Sequence, residues 1–319
     1  MSGPLLVTGA TGFAGSHLVD HLLECTSDRV AAWGHSGGRT LPPPHDSRVA
    51  WSSVDLLNRD ELAQAVGELG PSAVFHCAGF ADVHAASLNS ASALRVNAVG
   101  TEHLVEAVRG SRLDAPVLVV SSGLVYRPSN EPVDEESPIG PANAYGVSKL
   151  AQEMSALRAP GARIFLARPF NHAGPRQSDA YVTSSFARQI AEAEAGLREP
   201  VLRVGNLDSM RDITDVRDTV RAYRLLMERG QPKQPYNVCR GEAYRIGDLM
   251  ERLVRQSRVA IRVETDSTRL RPSDNPVVLG SAERLHRDTG WEPRIPIDRT
   301  LADLLEYWRD ALKPEGSTP

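Results

Sequence analysis

Tyr145 and Lys149 stand four residues apart in the run Tyr145-Gly146-Val147-Ser148-Lys149, and on a helix that spacing puts both side chains on one face. A phenol ordinarily ionises near pH ~10, and a neighbouring ammonium favours the phenolate. The pair is therefore expected to exchange a proton with a hydroxyl or carbonyl near neutral pH, with Lys149 lowering the pKa of Tyr145. Ser122 follows the apolar run Val117–Ser121. If that run is a strand, its end lies at the carboxyl edge of a sheet, where the Ser122 hydroxyl can bond a reacting oxygen. A YxxxK spacing alone is ordinary surface-helix chemistry. Its weight comes from its order in the chain, after a glycine loop and a strand-end serine.

The glycine loop is Thr8-Gly9-Ala10-Thr11-Gly12-Phe13-Ala14-Gly15, between the apolar run Leu5–Thr8 and a helical pattern from about Phe13 to Glu24. Gly9 permits a tight turn, Gly12 lets backbone N–H groups approach a pyrophosphate, and Gly15 lets the helix pack close to the strand. The helix N-terminus adds partial positive charge for phosphates. Gly9, Thr11, Gly12, Phe13 and Gly15 are accordingly candidate dinucleotide ligands. An acidic residue at the end of the second strand would bind a ribose 2′-hydroxyl and repel a 2′-phosphate, but Gly34 stands there, with Ser36 and Arg39 just beyond. NADP(H) is thus favoured, with NAD(H) the alternative, and Ser36 and Arg39 are candidate ligands. Asp55, with Leu56 beside it, follows a short strand and is expected near the adenine.

These residues need a scaffold that brings strand ends together. Strand-like runs at Leu5–Thr8, Arg29–Gly34, Ala73–Cys77 and Val117–Ser121 alternate with helical patterns at about Phe13–Glu24, Arg59–Leu69 and Ala91–Arg109. That alternation predicts an α/β fold of Rossmann type, a doubly wound parallel sheet with helices on both faces. After about Phe170 loops lengthen and arginines become denser, which predicts a smaller C-terminal α/β substrate lobe. Asp215–Val238 reads as one more helix and strand returning to the sheet. The expected division is residues 1–170 plus about 212–240 for the dinucleotide, and 171–211 plus about 241–319 for the substrate.

The totals exclude other classes. A net charge of -4 over 319 residues gives no electrostatic reason to expect nucleic acid or an anionic membrane. No apolar run is long enough to span a bilayer, and no signal peptide is read at the N-terminus. Cys25, Cys77 and Cys239 are scattered, with no CxxC pair. Neither a metal site nor a disulfide framework is expected, and a reducing cytoplasm suits the chain.

The chain resembles the extended short-chain dehydrogenase/reductase family, also called the sugar-nucleotide epimerase/dehydratase family, over nearly its whole length. Besides the motifs above, the resemblance rests on His76-Cys77-Ala78-Gly79, Val96-Asn97-Ala98-Val99-Gly100-Thr101 and Arg168-Pro169-Phe170-Asn171. It implies a Ser122–Tyr145–Lys149 triad and cofactor contacts at Ala78, Tyr145 and Lys149, with Lys149 on the nicotinamide ribose. Arg127 departs from the family's glycine after Val125-Tyr126 and is expected to alter a loop only. The family's dimer packs the helix of Tyr145 against the Ala91–Arg109 helix in a four-helix bundle. Here that second helix carries apolar Leu94, Ala98, Leu104, Val105 and Val108, so a homodimer is expected.

Asn206–Asp212 and Arg271-Pro272-Ser273-Asp274 are similar to segments of GDP-mannose 4,6-dehydratases and GDP-4-keto-6-deoxy-mannose reductases, and so is Thr289–Pro293. The resemblance makes a GDP-linked sugar the expected substrate. It implies Arg211, Arg271 and Asn171 on the diphosphate, which suits the arginine fork, with Asp274 and Gly123 also at the substrate. Dehydratases of the family place an acid/base pair after the serine or threonine, and the related GDP-fucose synthases place a cysteine there. Here the positions are Gly123 and Leu124, which carry no proton. The remaining chemistry is reduction of a C4 ketone, or inversion at C4 through a transient ketone with tightly held NAD. A non-catalytic redox-sensing dinucleotide binder would have no need of the complete triad.

Overall fold

The computed structural model describes residues 3–35, 46–111, 114–269 and 275–313. Six strands come first: β1 (Leu5–Thr8), β2 (Val30–Gly34), β3 (Val49–Ser53), β4 (Ala73–His76), β5 (Val117–Val120) and β6 (Ile164–Pro169). Three more follow, β7 (Asn171–Ala173), β8 (Val201–Val204) and β9 (Met210–Asp215), before β10 (Pro235–Val238). The central sheet has seven strands in the order β3-β2-β1-β4-β5-β6-β10, every neighbouring pair parallel. Strand order reverses between β1 and β4, so a crevice opens at their carboxyl ends.

Helices α1 (Phe13–Cys25), α2 (Arg59–Leu69), α3 (Val83–Leu88), α4 (Ser90–Leu94), α5 (Gly100–Gly110) and α6 (Ala144–Leu157) belong to this first part of the chain. They are followed by α7 (Val182–Glu194), α8 (Val216–Arg229), α9 (Ile246–Arg255), α10 (Glu283–Thr289) and α11 (Ile297–Ala311). Two cores sandwich the sheet. Val7, Leu118 and Phe165 pack with Leu18 and Leu22 of α1 and Leu226 of α8. Leu6, Val119 and Leu166 face the other way, onto Leu62 of α2 and Leu104 and Val108 of α5. Successive strand residues thus serve opposite faces. Both faces are covered, which is why these strands are apolar throughout rather than alternating. Leu118 is fully buried, and cutting it to alanine costs about 2–5 kcal/mol.

A third core joins Phe186 and Ile190 of α7, Leu202 of β8, Ile213 of β9, Leu249 of α9 and Leu304 of α11. Strand β9 pairs with β7, with β11 (Ala243–Arg245) and, further on, with β13 (Val277–Val278), while β8 pairs with β12 (Arg262–Thr265). The helix expected over Ala91–Arg109 is interrupted. One π-helical turn, Arg95–Val99, separates α4 from α5 and carries the buried Asn97. Among the described residues no helix is long and apolar enough to cross a membrane, and no group of three or more His, Cys, Asp or Glu is placed to hold a metal ion.

Candidate active site

The glycine loop turns where β1 meets the switch point. Gly9 has φ of 69°, and a Cβ there would stand 2.6 Å from the Ala78 backbone nitrogen, so the loop lies directly on the end of β4. A Cβ on Gly15 would stand 2.1 Å from the Gly9 carbonyl oxygen, which keeps the first turn of α1 against the loop. Gly12 caps α1 and supplies no side-chain acceptor, so no cap side chain competes for the first N–H groups of the helix. A side chain at Gly9 or Gly15 would strike neighbouring backbone and push the loop, with the N–H groups at the start of α1, out of place.

From this loop a cavity of about 900 Å³ runs along the carboxyl ends of the strands. It brings together Gly9, Thr11, Gly12, Phe13, Gly15, Asp55, Leu56, Ala78, Ser122, Gly123, Tyr145, Lys149, Asn171 and Arg211, all of which line it. Four other candidates, Ser36, Arg39, Arg271 and Asp274, lie outside the described residues. Thr11 stands against Gly34, where a Cβ would meet its Cγ2 at 2.7 Å. The Tyr223 hydroxyl, on α8 in the cavity wall, is buried and has no partner among the described residues. Together with the cradle of Gly9 and Gly15, that orphaned donor fits a large polar ligand in the crevice.

Local structure fixes the reacting groups. The Asn143 side chain accepts from the Gly146 N–H at 2.9 Å and starts α6, placing Tyr145 in the first turn. A Cβ on Gly146 would stand 2.3 Å from the Leu124 carbonyl oxygen, so only glycine lets α6 lie this close to the turn carrying Ser122. Ser122 accepts from the Leu124 N–H at 3.1 Å, and both Ser122 and Tyr145 line the cavity. Below, Arg168 of β6 forks onto Glu153 of α6 at 2.9 and 2.7 Å and donates to the Tyr126 hydroxyl at 2.9 Å. The Ser121 hydroxyl donates to the same Glu153 at 2.5 Å. This buried pair pins α6 to the sheet. Asn97, on the π turn, donates to Ser148 of α6 at 2.8 Å and accepts from the Phe80 N–H at 2.6 Å.

Electrostatics depart from the expectation of a lowered Tyr145 pKa. Burial pushes the Tyr145 phenol up, and Lys149 does not counter it. The Lys149 ammonium is turned to the Val120 carbonyl at 2.7 Å and the Gln152 Oε1 at 2.6 Å, and burial lowers its own pKa to about 8. Four-residue spacing sets a shared face, but the long lysine stem carries its charge elsewhere. Tyr145 is therefore a neutral phenol, suited to giving a proton.

Strand pairing places Asn171 of β7 opposite Ile213 of β9, with Arg211 two residues before it on the same strand. The Arg211 guanidinium donates to the Met210 carbonyl at 2.8 Å and the Pro276 carbonyl at 3.1 Å. Next to it Asp212 is fully buried and accepts the N–H groups of Arg240 and Gly241, each at 2.8 Å. Among the described residues lining the cavity, Asp55 is the sole carboxylate. Glu135 accepts from the Asn237 N–H at 2.7 Å, Glu136 is paired with Arg284, and neither lines the cavity. Arg127, in the same connection, also lies off the cavity.

Residues 6–304 match the family model described as GDP-mannose 4,6 dehydratase. The GDP-6-deoxy-D-mannose reductase of Pseudomonas aeruginosa is 38% identical, over 99% of this chain and 100% of that protein. The solved structure of RMD from Pseudomonas aeruginosa complexed with NADPH superposes with a TM-score of 0.84 at 37% identity, covering 98% of this chain and 100% of that one. A putative epimerase from Burkholderia cenocepacia J2315 gives 0.85 at 33% identity, over 97% and 99%. The chain belongs to the GDP-mannose 4,6-dehydratase family, within the extended short-chain dehydrogenases/reductases.

Proposed function

We propose that this protein reduces the C4 ketone of a GDP-4-keto-6-deoxyhexose such as GDP-4-keto-6-deoxy-D-mannose, using NADPH in preference to NADH. One observation carries the choice within the family. The end of the cavity at Ser122, Tyr145 and Lys149 has Gly123 and Leu124 where a dehydratase needs acid and base, and no described carboxylate lines it there. The 38%-identical reductase and the NADPH-bound structure support the GDP sugar and the cofactor.

In this reading Gly9, Thr11, Gly12, Phe13, Gly15, Asp55, Leu56 and Ala78 hold the dinucleotide, and Ser36 and Arg39 its 2′-phosphate. Asn171, Arg211 and Arg271 hold the sugar diphosphate, with Asp274 and Gly123 at the sugar. The nicotinamide supplies the hydride that reaches the sugar C4. Ser122 donates to the ketone oxygen and Tyr145, kept neutral by burial, protonates it as negative charge develops. Lys149 holds its ammonium at the same end of the cavity.

The lobes divide as residues 1–170 with about 212–240, and 171–211 with about 241–319. The protein assembles as a homodimer, and its unpaired cysteines suit the cytoplasm. Net oxidation of NADPH on adding the keto sugar tests the reaction. A 4-epimerase interconverts nucleotide sugars with no net change in reduced-cofactor absorbance, and a redox sensor does not turn over.

A further inference from the structure

We infer that Gln152 is the positioning residue of Lys149, and that it anchors the ammonium to a buried hydrogen-bond chain reaching back to Thr8 at the glycine loop. The inference rests on the reading of Lys149 as the catalytic lysine. Its geometry is continuous. Lys149 donates to Gln152 Oε1 at 2.6 Å, Gln152 Nε2 donates to Thr101 Oγ1 at 3.0 Å, and Thr101 meets His76 Nε2 at 2.8 Å. His76 Nδ1 meets Thr8 Oγ1 at 2.7 Å, and Thr8 also accepts from the Ala78 N–H at 3.3 Å. Gln152, Thr101 and His76 are fully buried, and Thr8 and Lys149 nearly so.

Donor and acceptor counts give the chain a direction. An ammonium only donates, so the Gln152 carbonyl oxygen faces Lys149 and its NH₂ faces Thr101. His76 is neutral, because burial lowers its pKa to about 3 and the nearby Lys149 charge acts the same way. One imidazole nitrogen therefore carries a proton and the other accepts. If Nε2 carried it, the Thr101 hydroxyl would keep a proton with no acceptor in a closed interior. With the proton on Nδ1, Thr101 donates to Nε2, and the spare hydroxyl proton falls on Thr8, which lines the cavity. The chain thus begins and ends at the cavity, and both hydroxyls and both imidazole nitrogens between are used.

Two of the three Lys149 N–H bonds are spent on partners from different elements, Val120 of β5 and Gln152 of α6. That fixes the ammonium's axis and the direction of the third N–H. The other titratable groups facing Lys149 are the Cys77 thiol beyond β4, His76 on β4 and the Glu153 carboxylate on its own helix. Burial pushes Cys77 up to about 12, so it is an uncharged thiol, and Glu153 is paired with Arg168. Gln152 is the only side chain that the Lys149 ammonium hydrogen-bonds among the described residues.

Lysine occurs at only three positions, 149, 233 and 313. Full-length protein labelled with ¹⁵N and ¹³C at lysine therefore gives three side-chain signals, and the one lost in Lys149→Met is Lys149. Titration is expected to place Lys149 near 8 in the parent protein. Gln152→Glu puts an opposite charge against the ammonium and is expected to raise that value by about one pH unit or more, whereas Gln152→Leu removes an acceptor from the charged form and is expected to lower it. The alkaline limb of the kcat/KM profile follows in the same two directions. A merely structural glutamine predicts no such opposition. Lys149 titrating as in the parent in both variants, or moving the same way in both, overturns the inference. Should Gln152→Glu fail to fold, Gln152→Leu decides: a downward move supports the anchor and an unchanged value removes it. Parental turnover in Lys149→Met would instead defeat the catalytic reading, whatever the titrations give.

Discussion

The Glu135 carboxylate accepts the backbone N–H of Asn237 at 2.7 Å and so faces β10, the edge strand of the central sheet, instead of the cavity. Arg284 stands 3.8 Å from it, and burial raises its pKa. The connection between β5 and α6 is long enough to deliver an acid to the sugar, and the structure spends its buried acid on the sheet edge.

GDP-mannose with oxidised cofactor is therefore expected to pass through unchanged. Elimination across C5–C6 needs a base for the C5 proton and an acid for the departing hydroxyl, and Gly123 and Leu124 supply neither. Mass spectrometry of the sugar nucleotide is the check, and loss of water would show an acid and base reaching in from elsewhere. Glu135→Gln is expected to leave ketone reduction within about twofold of the parent, since the amide oxygen can still accept the Asn237 N–H and no cavity-lining group changes.

Tyr145→Phe removes the proton donor and little else. Turnover is expected to fall by about 10²–10⁴-fold while the dissociation constant for NADPH stays near the parent's, because only the proton donor is lost and the ring that lines the cavity remains. Turnover within a few-fold of the parent would remove Tyr145 from the role.

Cofactor preference is expected to favour NADPH, and to move toward NADH when an acidic group is placed at residue 34. Gly34→Asp alone drives its Cβ to 2.7 Å from the Thr11 Cγ2, so Gly34→Asp is made with Thr11→Ala and compared with Thr11→Ala alone, Thr11 itself being assigned to the dinucleotide. Repulsion of the 2′-phosphate and a charge-assisted bond to the 2′-hydroxyl are together worth roughly tenfold or more in the kcat/KM ratio. An NADH preference in the parent protein contradicts the reading of Gly34.

The proposed homodimer has a candidate surface. Leu104, Val105 and Val108, expected at a partner, are instead buried in the chain's own second core, so that part of the apolar stripe packs at home. What remains outward is Leu88, Leu94 and Val99 on α3, α4 and the π turn, with Val147 and Met154 on α6, Leu88 being 76% exposed. These residues suit a helix-to-helix interface between two copies. Light scattering at micromolar protein is expected to give the mass of a dimer, and Met154→Glu with Leu88→Glu a monomer. A monomeric parent sinks the idea.

The parts of this site that are local in sequence were legible there. Gly9, Gly12 and Gly15 sit at strand-to-helix spacing, and Tyr145 and Lys149 share a helix turn, so periodicity alone places them. Ser122 was found because a strand end is an apolar run that stops. Strand β6 was not read from the sequence: Ile164–Pro169 follows a helix closely, and its end, Arg168-Pro169, entered only as part of a motif of the family resemblance. The anchoring chain was invisible because its links join residues 25, 51 and 68 positions apart with no repeating pattern. Spacing also misjudged the Lys149 charge, since it fixes the direction of a Cβ and not the end of a flexible stem. Gly146 carried no signal of its own; its need appears only when Leu124 is seen against it.

The most direct measurement is to mix the protein with GDP-4-keto-6-deoxy-D-mannose and NADPH and follow the sugar nucleotide by mass spectrometry alongside reduced-cofactor absorbance. The account predicts that the sugar gains two hydrogens in step with cofactor oxidation, mole for mole. An unchanged mass with unchanged absorbance, in protein that binds NADPH, would contradict it.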